Sequence, residues 1–226
     1  MTAPAAAEED VNGGIDNPGY IAFVDALLAG RLKLGQTLKQ EELCRVLGVS
    51  LSPMRETTTL LEAEGLITVR RRVGITIFYP DVKFVGNTFQ FRGILEREGL
   101  SKFARSVSYR WISKARDDHH QIIAFVEKVN DQSVYREPVK QLEAEFHGSF
   151  IGAFENHQIS IIYERLTQKA FLLRLLNPEA VGPVNTVTSM REHLAVIDAL
   201  ERRDAEAATE ALDKHLKGVL HRVLTT

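Results

Sequence analysis

Cysteine is almost missing from this 226-residue chain, which has one, Cys44. A single thiol excludes the internal disulfide framework that staples small secreted domains, and Cys44 reads as a small core-facing residue. Long apolar runs are missing too. None approaches the roughly 18–20 residues of a membrane-spanning helix. The start of the chain, with Glu8, Glu9, Asp10 and Asp16 and no base, is unlike a secretory signal. These absences point to a cytoplasmic chain with no membrane partner. A large charge excess is absent as well: the formal net charge is −2. The balance is uneven, because residues 1–19 hold four acids and no base, residues 20–80 eight bases against six acids, and residues 81–226 twenty of each. The basic excess therefore sits in the second stretch.

Length suggests two domains. Residues 1–18, rich in Ala, Gly and acids, read as a disordered tail. From Tyr20 to Arg31 an apolar-rich segment supplies a first helix. Glu41 to Leu47 places Leu43, Val46 and Leu47 at helical spacing, and Gly48 breaks the pattern with the residue that best tolerates a left-handed conformation. A further helix follows, with Ser50 or Ser52 to cap it, Pro53 in its first turn, and Met54, Leu60, Leu61 and Leu66 as its apolar stripe. Two short helices about a tight turn make a helix-turn-helix. Leu66 to Val69 then has strand character, Arg70 to Gly74 turns, and Ile75 to Phe78 returns. This β-hairpin carries Arg70, Arg71 and Arg72 at its tip, a charge density suited to duplex phosphates.

The blocks LGVSLSPMRETTTL (47–60), LEAEGLI (61–67) and RRRVG (70–74) resemble the winged helix of the GntR family of bacterial transcription regulators. The resemblance implies that Arg55 contacts an operator, and Ser50, Ser52, Thr57, Thr58, Thr59, Arg70, Arg71, Arg72 and Gly74 are expected on the same DNA-binding surface. Two positions depart from the family pattern: Leu51 and Thr59 stand where arginines are usual. A leucine cannot make the bidentate contact to guanine that discriminates by about 1–3 kcal/mol, so an atypical operator is expected. The threonine hydroxyls suit phosphate contacts, or their methyls a thymine.

After Pro80 the strand signals stop. A linker is expected at 80–86 and a helical domain over 87–226, with helices near 84–107, 111–129, 132–155, 158–176, 185–202 and 204–224. The fold class is thus mainly α: a winged helix-turn-helix over 19–79 with a small β-hairpin wing, then an all-α bundle. Within the bundle, Glu143 and His147 lie one helical turn apart on the same face. His193 and His215 fall on two helices that the short connection at 202–205 makes antiparallel neighbours, at similar height. Three imidazoles and a carboxylate make a reasonable shell for a divalent metal.

Residues 87–224 are also similar to the FCD effector domain of the FadR subfamily, and the six helices resemble its VanR-like branch. That resemblance implies a metal held by Glu143, in place of the family's Asp, together with His147, His193 and His215. Zinc is the first expectation, with nickel and manganese as alternatives. It also implies an acidic effector facing Arg92, with Arg165, Tyr163 and Asn156 as further contacts. His119 and His120, in the polar run RDDHHQ, read as solvated, His221 as surface, and His157 as lacking a partner. The expected function is a homodimeric repressor that binds a pseudo-palindromic duplex and is released by a small carboxylate-bearing metabolite. Two other readings stay open: a metal-dependent hydrolase built on the three histidines, and a purely structural metal.

Overall fold

The computed structural model describes residues 17–129 and 131–225. They form two compact units that part between Pro80 and Asp81. Most of the stretch read as a tail lies outside the described residues. Its last two residues do not: Asn17 accepts a hydrogen bond from the Tyr20 amide at 3.0 Å, and Pro18 opens the first helix. An Asn cap followed by Pro at the first helical position is the expected start signal, so α1 spans Pro18–Leu28.

Within the first unit, a two-residue strand β1 (Thr37–Leu38) precedes α2 (Gln40–Leu47). Gly48, at φ 66°, ends α2 in the left-handed conformation that glycine adopts without penalty. Then come α3 (Leu51–Ala63), β2 (Ile67–Arg70) and β3 (Gly74–Ile77). The sheet has the antiparallel order β1-β3-β2, with Thr76 opposite both Thr37 and Thr68. The hairpin is as the sequence implies, but β1 is additional. Two residues are too few to show alternation, so pairing with β3 rather than local pattern makes it a strand. Its closeness explains Gly74. A Cβ there would meet the Leu38 carbonyl oxygen at 2.5 Å, and the φ of 134° is one that side chains rarely allow. Phe23, Leu43, Met54, Leu61, Leu66 and Ile77 form the buried interior of this unit.

The second unit is built of α4 (Val82–Ala104), α5 (Tyr109–Val129), α6 (Gln132–Gly152), α7 (His157–Leu173), a 3-10 turn (Pro178–Val181), α8 (Pro183–Glu201) and α9 (Ala205–Leu224). These are the six expected helices, with ends within three residues of the expected ones. The expected linker at 80–86 is corrected: Asp81 accepts from the Phe84 amide at 2.7 Å and caps α4, so the chain is helical from Val82. Helix α8 packs against both α5 and α9, while α4 packs on α6, α7 and α9. At Gly99 an added Cβ would lie 2.5 Å from the Phe150 carbonyl oxygen, so α4 and α6 approach as closely as glycine permits. Leu100, Ile112, Phe146, Phe150, Val196 and Leu212 make one continuous core where α4, α5, α6, α8 and α9 meet. Among the described residues no helix is long and apolar enough to cross a membrane.

Candidate metal centre and nucleic-acid interface

On the first unit, Ser50, Ser52 and Arg55 are exposed along α3, and Leu51 is 56% exposed beside them. Ser50 is the N-cap residue but its hydroxyl makes no capping bond. Arg70, Arg71 and Arg72 are exposed at the hairpin tip, where Arg72 takes φ 65°. Lys39 donates to the Val73 carbonyl at 3.1 Å and so ties this tip back to the start of α2. Thr57 departs from expectation. It is 1% exposed, and its hydroxyl donates to the Pro53 carbonyl and to Asn17, both at 3.1 Å, so it locks α3 to the cap of α1 rather than facing solvent. Thr58 and Thr59 both donate to the Arg55 carbonyl, at 2.9 and 3.0 Å. Their hydroxyl protons are thereby committed to the helix backbone. Gly74 serves the sheet, for the steric reason given above.

On the second unit, α6, α8 and α9 bring His147, His193 and His215 together. One ring nitrogen from each lies within 4.8 Å of the others, and all three residues are buried. The Nε2 atoms of His193 and His215 are 3.1 Å apart, and the His193 ring stacks on Phe146 with centroids 4.3 Å apart. The partners behind the rings decide where the protons are. His147 Nδ1 donates to Glu96 Oε2 at 2.8 Å, and His215 Nδ1 donates to Glu192 Oε2 at 2.8 Å. Each ring therefore keeps its lone pair on Nε2.

Fit to a metal ion can be judged on this geometry. Two imidazole nitrogens bound at about 2.0–2.1 Å to a tetrahedral ion stand about 3.3 Å apart, close to the His193–His215 spacing. A proton is the other cation that could sit between them. Burial, and then the fields of His215 and His147, push His193 well below its ordinary pKa, which disfavours that alternative. The donor set fits a divalent ion.

Three glutamates surround the histidines, and each has its own arginine. Glu96 pairs with Arg92 at 2.8 Å, Glu192 with Arg222 at 2.8 Å, and Glu143 with Arg174. Burial alone would raise the Glu143 carboxyl, but Arg174 and then His147 outweigh it and hold its pKa at about 2. Burial likewise opposes ionisation of Glu192, yet hydrogen bonds from His215 and Arg222 bring it to about 2. Glu96 is also held well below the usual carboxylate range, by Arg92 and His147 against burial. Three negative and three positive charges thus cancel around the three imidazoles.

The remaining expected residues separate into two groups. Arg92 is 7% exposed and engaged with Glu96, to which the Tyr163 hydroxyl also donates at 2.7 Å. These two converge beside His147, whereas Arg165 is half-buried on α7. Asn156 is corrected: it is exposed and caps α7, accepting from the Gln158 and Ile159 amides at 3.0 and 3.3 Å. The structure also corrects Glu143 as a first choice of ligand, since its carboxylate is taken by Arg174. Three participants escaped sequence reasoning: Glu96, Glu192 and His119. Signals existed for two of them. Glu96 follows Arg92 by one helical turn, and His119 falls on the stripe Ile112, Ala115, His119, Ile122, Val126, whose 3-4 spacing marks a helix's buried face. The solvated reading of His119 is wrong: it is 0% exposed.

Comparison with known proteins agrees with both halves. Residues 22–77 match the model described as bacterial regulatory proteins, gntR family, and residues 87–218 match the FCD domain. The chain is 23% identical over 206 residues to the HTH-type transcriptional regulator YdhC of Bacillus subtilis (strain 168), covering 88% of each chain. It is 25% identical over 189 residues to the HTH-type transcriptional repressor RspR of Escherichia coli (strain K12), covering 82% of this chain and 78% of that one. Among solved structures, E. coli McbR/YncC superposes with a TM-score of 0.66 at 16% identity, over 91% of this chain and 92% of that one, a likeness of fold.

Proposed function

Because this chain belongs to the gntR family of transcriptional regulators and carries an FCD domain, we propose that it is a metabolite-responsive repressor whose second unit senses an acidic ligand at a metal centre. Membership in that family sets aside the hydrolase reading. The proposed site of action is the cytoplasm, where the operator DNA is.

The observation that carries the proposal is the charge balance around His147, His193 and His215. With the glutamates and arginines cancelling in pairs, a dication among the histidines leaves a buried net positive charge, which an anionic ligand offsets. A divalent ion held there supplies that charge and open positions for the oxygens of a carboxylate. Arg92 and Tyr163 are the residues proposed to meet the ligand. Both reach Glu96, so a ligand carboxylate entering beside them competes with Glu96 for the Arg92 guanidinium. On the first unit, Arg55 is proposed to read a base edge, and Arg70, Arg71 and Arg72 to hold phosphates.

Two copies acting on two half-sites of a pseudo-palindrome complete the proposal. Phe91 and Ile94, exposed on α4 at 41% and 52%, are proposed as part of the surface between copies. A ligand relieves repression only as far as it prefers the free form of the protein, so a hundredfold release of DNA needs a hundredfold difference in its affinity for the two forms.

The test is native mass spectrometry of the purified chain, followed by fluorescence anisotropy on a duplex selected from a random library. Zinc chloride and a series of mono- and dicarboxylates are the probes. One divalent ion per chain, and a carboxylate that weakens duplex binding only in metal-loaded protein, is the expected outcome. Carboxylate binding that is identical with and without metal defeats the metal-centred reading.

A further inference from the structure

His119 on α5 has no assigned role, yet it is fully buried and touches one of the three histidines. Its Nδ1 lies 2.6 Å from the Ala115 carbonyl oxygen, and its Nε2 lies 3.0 Å from His193 Nδ1. A carbonyl oxygen only accepts, so His119 Nδ1 must carry the proton. The neutral ring then presents a lone pair at Nε2, and the contact with His193 closes only if His193 donates from Nδ1. His193 Nε2 is thereby left with its lone pair toward His215.

Without His119 the preference reverses. His193 could move its proton to Nε2 and donate to His215 Nε2 across 3.1 Å, which pairs the two facing nitrogens and closes the site to a metal ion. In the intact protein, that tautomer sets the His193 Nδ1 lone pair against the His119 Nε2 lone pair. Inverting His119 as well would aim a lone pair at the Ala115 oxygen at 2.6 Å. Leaving such buried groups mismatched forfeits the hydrogen bonds that compensate for their loss of water. The bond to Ala115 thus anchors a one-way chain from a helix carbonyl through two imidazoles. Phe146 packs against both rings, T-shaped to His119 and stacked on His193.

We infer that His119 is a positioning residue that fixes the Nδ1–H tautomer of His193 and so holds His193 Nε2 ready to ligate a metal ion. Glu96 and Glu192 do the corresponding work for His147 and His215 through charge, while His119 does it as a neutral acceptor. This inference rests on the proposal that the three histidines hold a metal, but it makes a claim about the metal-free protein as well.

The test uses the full chain with cobalt(II) as probe and compares wild type with His119→Gln and His119→Phe. Glutamine can donate to Ala115 and accept from His193; phenylalanine fills the space and does neither. Two-bond 1H–15N correlation spectra of metal-free, 15N-histidine-labelled protein read the His193 tautomer, and chelator competition reads cobalt affinity. Wild type and His119→Gln are expected to show His193 protonated at Nδ1. His119→Phe is expected to show it protonated at Nε2 and to bind cobalt about 10–100-fold more weakly. Equal weakening in both variants, or an unchanged His193 tautomer in His119→Phe, overturns the inference. Should His119→Phe fail to fold, Nε2 protonation of His193 in metal-free wild type overturns it alone. A wild type that binds no cobalt defeats the metal proposal, while the tautomer spectra still decide the role of His119.

Discussion

The Nε2 atoms of His193 and His215 face each other across 3.1 Å, and the bonds behind the two rings leave a lone pair on both. Two acceptors at that distance in a buried site repel until a cation lies between them. On the proposed metal-centred reading, the stability of the second unit is therefore linked to metal.

Metal removal tests this directly. Dialysis against a chelator is expected to lower the melting temperature, and zinc at a hundred times its dissociation constant to restore about 2.7 kcal/mol of stability. In the triple variant His147→Ala, His193→Ala, His215→Ala, differential scanning calorimetry should find no response to zinc. A zinc-dependent shift of wild-type size in that variant rules the three histidines out as the binding site.

Arg55 and the hairpin arginines should differ in what their removal does. Arg55→Ala removes a proposed base contact, so anisotropy titrations should show affinity for the selected duplex falling by about 1–3 kcal/mol while random duplex is nearly unaffected. Replacing Arg70, Arg71 and Arg72 by Ala should weaken both duplexes alike. The slope of log K against log salt should then fall by up to about 0.9 for each phosphate that is no longer neutralised.

Thr57 gives the opposite pattern to Arg55. Its hydroxyl is buried against Asn17 and Pro53, so Thr57→Val should cost about 1 kcal/mol in urea unfolding. Affinity for DNA per folded molecule should stay the same. A loss of operator affinity without a loss of stability would return Thr57 to the DNA surface.

These contrasts show which features the sequence carries. Helix α3, its glycine-ended predecessor and the arginine-tipped hairpin were legible because periodicity, turn chemistry and charge all act locally. So were the six helices of the second unit and the approach of His193 to His215, where a short connection fixes two helices side by side; that His147 joins them followed from the family resemblance. What sequence hid depends on rotation about the helix axis and on pairing at long range. Thr57 points inward because Gly19 leaves room for it: a Cβ on Gly19 would lie 2.1 Å from the Thr57 hydroxyl oxygen. Glu143 shares a face with His147, yet Arg174, thirty-one residues later, claims its carboxylate. Strand β1 exists only by virtue of a partner thirty-nine residues away at Thr76.

Association of two copies can be tested on α4. Ile94→Asp puts a charge where an apolar contact is proposed, and sedimentation velocity should show a shift from dimer to monomer together with weaker binding to a two-half-site duplex. A variant that stays dimeric moves the interface away from this face.

The Glu143–Arg174 pair decides whether the carboxylate one turn before His147 is a ligand or a neighbour. Both side chains are mostly buried, 18% and 20% exposed. Arg174→Met should therefore strand a carboxylate in a poor environment and cost about 1–3 kcal/mol. Glu143→Gln keeps the shape and removes the charge, so combining the two changes should recover part of that loss, a coupling that a double-mutant cycle measures. If Glu143 is a neighbour, Glu143→Gln retains one zinc per chain with affinity reduced by less than tenfold. If it is a ligand, the same variant loses zinc much as His147→Ala does. Metal content by plasma emission spectroscopy, measured beside urea unfolding of the metal-free protein, separates the two.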